Sequence, residues 1–354
     1  MIKVLVVDDS AFMRKIFSEN INSDPELTVI DTARNGKKAL EKLESLNPDI
    51  LTLDIEMPEM DGLTTLQKLN EKHPDLPVLM VSALDNRDTV MKALDMGAFD
   101  FIPKPSGSIS LEIDDIADEL LVKLKAGARA GSKTASASAS AAAEKTTIQK
   151  KSPDREKKTV TSRRDEFPVV AIGASSGGPK AIKHIMMHLP PDFPAALAIV
   201  QHMPAGFTAS LASRLDKETS LNVQEAESGD RLKPGSALLA PGDYHMEFEG
   251  IRARLNQKPK KWGVRPCADY MLSSLAESFG SRVIGVILTG MGSDGGEGMK
   301  MVKSRGGYGI IEDRSTALVY GMPESAIKKD AYDIILPRPK IPREITKIVE
   351  RRLV

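Results

Sequence analysis

Along residues 1–105, short apolar runs alternate with segments in which apolar residues recur at helical spacing. IKVLVV, LTVID, DILTL, PVLMV and FDFI read as strands, and the stretches between them read as amphipathic helices. Five such βα units predict a parallel sheet covered by helices on both faces. A last helical pattern, LEIDDIADELLVKLKAG, closes this unit near residue 127. A second pattern of the same kind fills residues 166–354, with PVVAIGA, AALAIVQ, SALLAPG, RVIGVILTG, GYGIIED and YDIILP as strands. It predicts a second α/β domain, doubly wound around a parallel or mostly parallel sheet. No internal repeat stands out.

Between the two patterns the composition changes. Residues 128–165 are dominated by Ala, Ser, Thr, Gly and Lys, including SKTASASASAAAEK, with no aromatic residue. Such a segment buries too little surface to offset its ordering entropy, so it reads as a flexible linker between domains at 1–127 and 166–354. Residues 144–164 carry eight basic and three acidic residues, but no aromatic is interleaved for base stacking. A solvated tether is therefore favoured over a nucleic-acid tail. The chain of 354 residues has 49 Lys plus Arg against 49 Asp plus Glu, which gives no pull toward a polyanion. No apolar run reaches the roughly 18 residues of a membrane span, and MIKVLVVDDS does not resemble a signal peptide. The single cysteine, Cys267, excludes an intrachain disulfide and fits a cytoplasmic location. It reads as inert, because no candidate base lies near it in sequence.

Polar residues end the strands of the first domain. Asp8 and Asp9 follow the first, Asp54 the third, Ser82 the fourth and Lys104 the fifth. The carboxyl ends of strands in an open α/β sheet face one crevice, so these groups are expected to converge. Three close carboxylates repel unless a hard divalent cation sits among them, and Mg²⁺ is the natural candidate. With it in place Asp54 can act as a nucleophile on a phosphoryl group, while Ser82 and Lys104 balance charge on the phosphate oxygens. The plainer reading, that Asp8 and Asp9 only cap the next helix, does not account for the whole set.

With VVDDS, LTLDIEMPEMDG, VSA and PKP in this order, the first domain resembles the response-regulator receiver. The resemblance implies a flavodoxin-like fold and Asp54 as the phosphorylation site. It also implies Asp9 and Asp54 as direct Mg²⁺ ligands, helped by the Glu56 backbone carbonyl, with Asp8 acting through water. A histidine kinase is the implied phosphodonor.

In the second domain GASSG, residues 173–177, follows an apolar strand and precedes a helix. It matches the G-x-S-x-G nucleophile elbow, which would expose Ser175 and leave the Ser176 backbone N–H for an oxyanion. A phosphate-binding turn explains the stretch alone equally well. A nucleophilic serine needs a base, and His202 follows the next strand, while Asp294 lies just beyond RVIGVILTGMGS. All three are expected at strand carboxyl ends, where a serine, a histidine and a buried carboxylate form an acyl-transfer relay. His245 is the rival base. His184 and His188, at i, i+4, could share a metal, but the Glu of H-E-x-x-H is missing.

GMGSDG, residues 290–295, is a literal G-x-G-x-x-G with Glu312 and Asp313 some 20 residues on. It supports a second reading, a receiver-gated NAD(P)-dependent oxidoreductase. Against it, Asp294 would set a carboxylate beside the pyrophosphate. A DNA-binding output lacks both a helix-turn-helix pattern and a basic recognition face.

A receiver joined to a domain with IGASSGG, VQHMP and LTGMGSDG resembles the chemotaxis protein-glutamate methylesterases (the CheB family) over both domains. The resemblance implies hydrolysis of glutamyl γ-methyl esters on methyl-accepting chemoreceptors, and deamidation of certain glutamines. It gives Ser175 the attack, His202 the proton relay and Asp294 the orientation of His202. The backbone N–H groups of Ser176 and Met291 stand at the oxyanion positions. No cofactor is implied for the ester chemistry.

Overall fold

The computed structural model describes residues 1–83, 86–104, 112–137 and 167–353. The first domain contains β1 (Ile2–Val7), α1 (Ala11–Asn22), β2 (Leu27–Ala33), α2 (Gly36–Leu43) and β3 (Ile50–Asp54). After these come α3 (Gly62–Lys72), β4 (Val78–Ser82), α4 (Arg87–Asp95), β5 (Asp100–Pro103) and α5 (Glu112–Ala137). The strands form one parallel sheet in the order β2-β1-β3-β4-β5, the doubly wound arrangement expected. Every residue of β3 and β4 is buried, as two-sided helix cover requires.

The last helix differs from the expectation. α5 runs on to Ala137, ten residues beyond the end of the apolar pattern, so the first part of the segment read as tether is helical. Alanine is the strongest helix former, and the small residues also serve packing. A Cβ on Gly127 would lie 2.4 Å from Ile50 Cδ1, and one on Gly131 2.8 Å from Pro77 Cδ. Composition had suggested entropy where the fold uses close approach. The rest of the expected linker, residues 138–165, lies outside the described residues.

The second domain contains β6 (Val169–Ala174), α6 (Gly178–Met187), β7 (Ala196–Gln201), α7 (Phe207–Glu218), β8 (Asn222–Glu225), β9 (Ser236–Leu239), β10 (His245–Glu249) and β11 (Arg252–Asn256). It continues with α8 (Ala268–Phe279), β12 (Val283–Ile287), α9 (Gly296–Ser304), β13 (Tyr308–Glu312), α10 (Gly321–Lys328), β14 (Ile334–Leu336) and α11 (Ile341–Leu353). Seven strands make one sheet, ordered β14-β13-β12-β6-β7-β9-β8, and all six pairings are parallel. The antiparallel content is a separate hairpin, β10 with β11. Both hairpin strands and β8 escaped the sequence reading, because NVQE, HMEFE and RARLN are too polar to register as apolar runs. β6 lies at the centre of the sheet, between β12 and β7, and all of its residues are buried.

The two domains touch. Phe101 of β5 meets Phe207 of α7 with ring centroids 4.6 Å apart, and one apolar cluster runs from Leu53 and Met80 to Ile172 and Leu211. Asp95, ending α4, pairs with Arg214 of α7 and with Lys183 of α6. A Cβ on Gly206 would fall 2.3 Å from Arg87 Cζ, so the start of α4 rests on the turn that leads into α7.

Candidate functional site

The expected acidic cluster of the first domain assembles. Asp8, Asp9 and Asp54 each offer an oxygen, all within 4.8 Å of one another, and Asp8 and Asp54 are buried while Asp9 is exposed. Lys104 Nζ stands 2.8 Å from Asp54 Oδ2 and 3.1 Å from Asp8 Oδ2. Burial lifts the Asp54 carboxyl to about 6 against the pull of the Lys104 ammonium, with the Asp8 charge adding to the rise. Burial likewise raises Asp8. Neither Oδ2 atom accepts an aligned hydrogen bond, so both keep lone pairs for another partner. Ser82 is buried and donates to the Ala83 carbonyl at 3.0 Å. Glu56 lines an open cavity of about 520 Å³ with Asp9 and Asp61, its side chain in solvent. An all-oxygen donor set with one open side fits a small hard divalent cation.

The second site is built on three adjacent strands. Ser175 follows β6, His202 follows the neighbouring β7, and Asp294 sits in the loop after β12 on the other side. In the β6–β7 ladder Ala174 pairs with Gln201, which places Ser175 beside His202 across one strand spacing of about 4.8 Å. His202 Nε2 lies 2.7 Å from Asp294 Oδ2. Since Asp294 is an acceptor there, Nε2 carries the proton, and Nδ1 is left as the basic nitrogen. The Ser175 hydroxyl makes no hydrogen bond among the described residues, so Ser175 and His202 stand in adjoining register without a bond between them.

Asp294 is buried and saturated with donors. Oδ2 also accepts from Ala268 N–H at 2.6 Å, while Oδ1 accepts from Gly295 N–H at 2.7 Å, Asp269 N–H at 2.9 Å and the Cys267 thiol at 3.0 Å. The donors from residues 267–269 form the first turn of α8, so this carboxylate also caps that helix. Burial alone would push Asp294 up, but the His202 bond and charge, with the thiol and N–H donors, hold it at about 2. Cys267 is pushed up, first by burial and then by the Asp294 charge, so it remains a thiol and a donor. Burial and the Asp294 charge are a reason for reading it as inert that sequence distance did not show. Cys267, Asp269 and Asp294 also bring potential ligand atoms within 4.8 Å, but N–H groups already occupy the carboxylates, which leaves no opening for an ion.

Several contributors were not anticipated. Gln201 is buried and donates from Nε2 to the carbonyls of Ser175 at 2.9 Å and His202 at 3.0 Å, tying the two turns together. Thr289 accepts Ser175 N–H at its carbonyl and donates from Oγ1 to the Ser176 carbonyl. Gly290 makes room, since a Cβ there would lie 2.9 Å from Ser175 Cβ. Gln201 was visible in VQHMP only as a neighbour of the histidine. The backbone N–H groups of Ser176 and Met291 donate to no acceptor among the described residues. The left-handed residue of the elbow is Gly177, at φ 76°.

The rivals are occupied otherwise. His245 is buried, its Nε2 is 3.3 Å from the Pro259 carbonyl, and its ring packs on Tyr270. His184 and His188 stack at 4.5 Å and join no three-ligand group among the described residues. Glu312, which a dinucleotide site would turn to a ribose, is buried between Thr289 N–H and Arg338. Asp294 of the GMGSDG loop faces His202. The loop's glycines serve the serine and its relay, and nothing supports the oxidoreductase reading.

Residues 170–345 match the CheB methylesterase family and residues 4–113 the response regulator receiver domain. A protein from Pyrococcus horikoshii named protein-glutamate methylesterase/protein-glutamine glutaminase is 44% identical over 356 residues, covering 99% of this chain and 94% of that one. A protein of the same name from Symbiobacterium thermophilum is 45% identical over 354 residues, covering 98% and 97%. The crystal structure of the Thermotoga maritima CheB methylesterase catalytic domain is 44% identical with a TM-score of 0.50, covering 51% of this chain and 98% of that one.

Proposed function

This chain belongs to the receiver-linked protein-glutamate methylesterase family, and from that premise we propose that it hydrolyses glutamyl γ-methyl esters, and certain glutamine amides, on chemoreceptors. The observation that carries this reading is the 2.7 Å bond between His202 and Asp294, with Ser175 in the adjoining register. His202 Nδ1 takes the Ser175 proton as Oγ attacks the ester carbonyl, and the imidazolium formed is stabilised by the ionised Asp294. The N–H groups of Ser176 and Met291 receive the oxyanion. Collapse returns the proton to the leaving methanol or ammonia, and a water activated by the same imidazole releases the glutamate and restores Ser175. Ser175→Ala is expected to abolish methanol release from methylated receptor while Asp54 still accepts phosphate. Turnover near that of the parent protein would remove Ser175 from the scheme.

In the receiver, Asp8, Asp9, Asp54 and the Glu56 carbonyl would hold Mg²⁺, which neutralises charge on a transferring phosphoryl group when bound. Asp54 is the nucleophile toward a histidine kinase phosphodonor, and Lys104 and the Ser82 hydroxyl face the phosphate oxygens. The unmodified receiver restrains the esterase. Its α4–β5 face covers the turn that follows His202, and phosphorylation shifts the population away from that docked state. The domains are a receiver over 1–127, a linker over 128–165 whose first residues continue α5, and an esterase over 166–354, in a cytoplasmic chemotaxis enzyme.

A further inference from the structure

The segment between β11 and α8, residues 257–265, reads QKPKKWGVR, with four cations and no acid. It leads directly into the helix turn that clamps Asp294. Trp262 within it is 47% exposed, yet it is held in place. Its backbone is left-handed, at φ 58°, a conformation that a bulky side chain adopts only when its surroundings impose it. Its indole Nε1–H donates to Asp269 Oδ2 at 2.8 Å, Asp269 is buried, and the Asp269 N–H in turn donates to Asp294. Lys261 bridges Asp269 and Glu297 at the same place.

The neighbouring turn is fixed in the same way. Asp243, at φ 67°, accepts from Arg265 Nε at 3.0 Å, and beside it Tyr244 is 40% exposed. Lys260 is exposed and has no ion-pair partner among the described residues. An exposed aromatic that is ordered before contact gives up little further freedom on binding, which is what makes an anchor effective.

We propose that residues 257–265 form a docking strap for an acidic amphipathic helix, with Trp262 as its apolar anchor and Lys260 as its free cation. The inference rests on the esterase reading and specifies its substrate: an ester-bearing side chain on a helix that presents further carboxylates toward this rim. Lys258 pairs with Glu247, Lys261 with Asp269 and Glu297, and Arg265 with Asp243, so selection of acidic over basic helices falls to Lys260, and the bonds from Trp262 through Asp269 to Asp294 tie the anchor to the relay.

Trp262 is the one tryptophan of the chain, so its emission reports the contact directly. The full-length protein is titrated with a synthetic helical peptide carrying glutamates and one glutamyl methyl ester, and with a matched peptide in which lysines replace the glutamates. A saturable change in emission is expected with the acidic peptide only. Lys260→Glu, which keeps the fluorophore, should weaken that binding about five-fold or more and raise KM more than it lowers kcat. Trp262→Phe, assayed by hydrolysis, should lose more on the peptide ester than on p-nitrophenyl acetate. A silent tryptophan at peptide concentrations that saturate hydrolysis, or equal binding of both peptides, overturns the docking strap while leaving the esterase intact. Docking without hydrolysis would instead overturn the esterase reading.

Discussion

Asp294 Oδ2 stands 2.7 Å from His202 Nε2 and 2.6 Å from the Ala268 N–H, so one carboxylate orients the base and caps α8. The two duties cannot be separated by substitution. Asp294→Asn must turn an NH₂ group toward either the imidazole or the helix N–H groups. The expected result is a fall in kcat of about 10²–10⁴-fold with a stability loss of about 1–2 kcal/mol, read by methanol release and thermal melting. Loss of activity without loss of stability would mean that the cap is dispensable.

The same carboxylate sets an acid limit. Its folded value, about 2, lies below the ordinary 3.8, so its contribution is fully present above 3.8 and is lost as pH falls through about 2. It amounts to about 2 kcal/mol. The isolated esterase domain is expected to lose stability over that window, and Asp294→Asn to flatten the loss in urea melts.

Asp54 carries the opposite sign. Raised to about 6 by burial, it favours the folded receiver when protonated, and that stability is lost as pH rises through about 6. Full-length protein in EDTA should therefore melt lower at pH 7.5 than at pH 5. Asp54→Asn should remove most of the difference, and Mg²⁺ at pH 7.5 should raise the melting temperature more in the parent than in the variant.

Domain docking gives a fourth test. Asp95 holds both Arg214 and Lys183 across the contact, in a half-exposed setting where such a network contributes about 1 kcal/mol. Asp95→Lys should raise the basal esterase rate of unphosphorylated protein about five-fold and remove its dependence on salt. An unchanged rate would mean that the α4 contact does not restrain the enzyme.

Gly242 packs on the turn after His202, where a Cβ would come within 2.3 Å of Ala205 N and 2.5 Å of Pro204 C. Both are backbone atoms of the turn after His202. Gly242→Ala is expected to cost about 1–3 kcal/mol and to lower kcat with it, seen in parallel melting and rate measurements.

The strand-end residues were legible because a parallel sheet announces itself as apolar runs and gathers whatever follows each run at one edge. Ser175 and His202 sit one step past a buried strand, and Asp54 ends one. What stayed hidden depended on contacts across the sequence. Gln201 reads as a strand end until its amide is seen bridging two carbonyls. Cys267 lacks a sequence neighbour that could engage it, yet donates to Asp294 across 27 positions. The α5 extension was missed because Ala and Gly look alike in a tether and in a tightly packed helix. GMGSDG held a second reading open because glycines that admit a pyrophosphate equally admit a serine.

Whether Ser175 is activated by His202 is tested most directly by fluorophosphonate labelling of the full-length protein followed by mass analysis. One adduct is expected, on the Ser175 peptide, with labelling slowed more than about 100-fold in His202→Ala and in Asp294→Asn. An adduct on another residue, or equal labelling of Ser175 in His202→Ala, would contradict activation by His202.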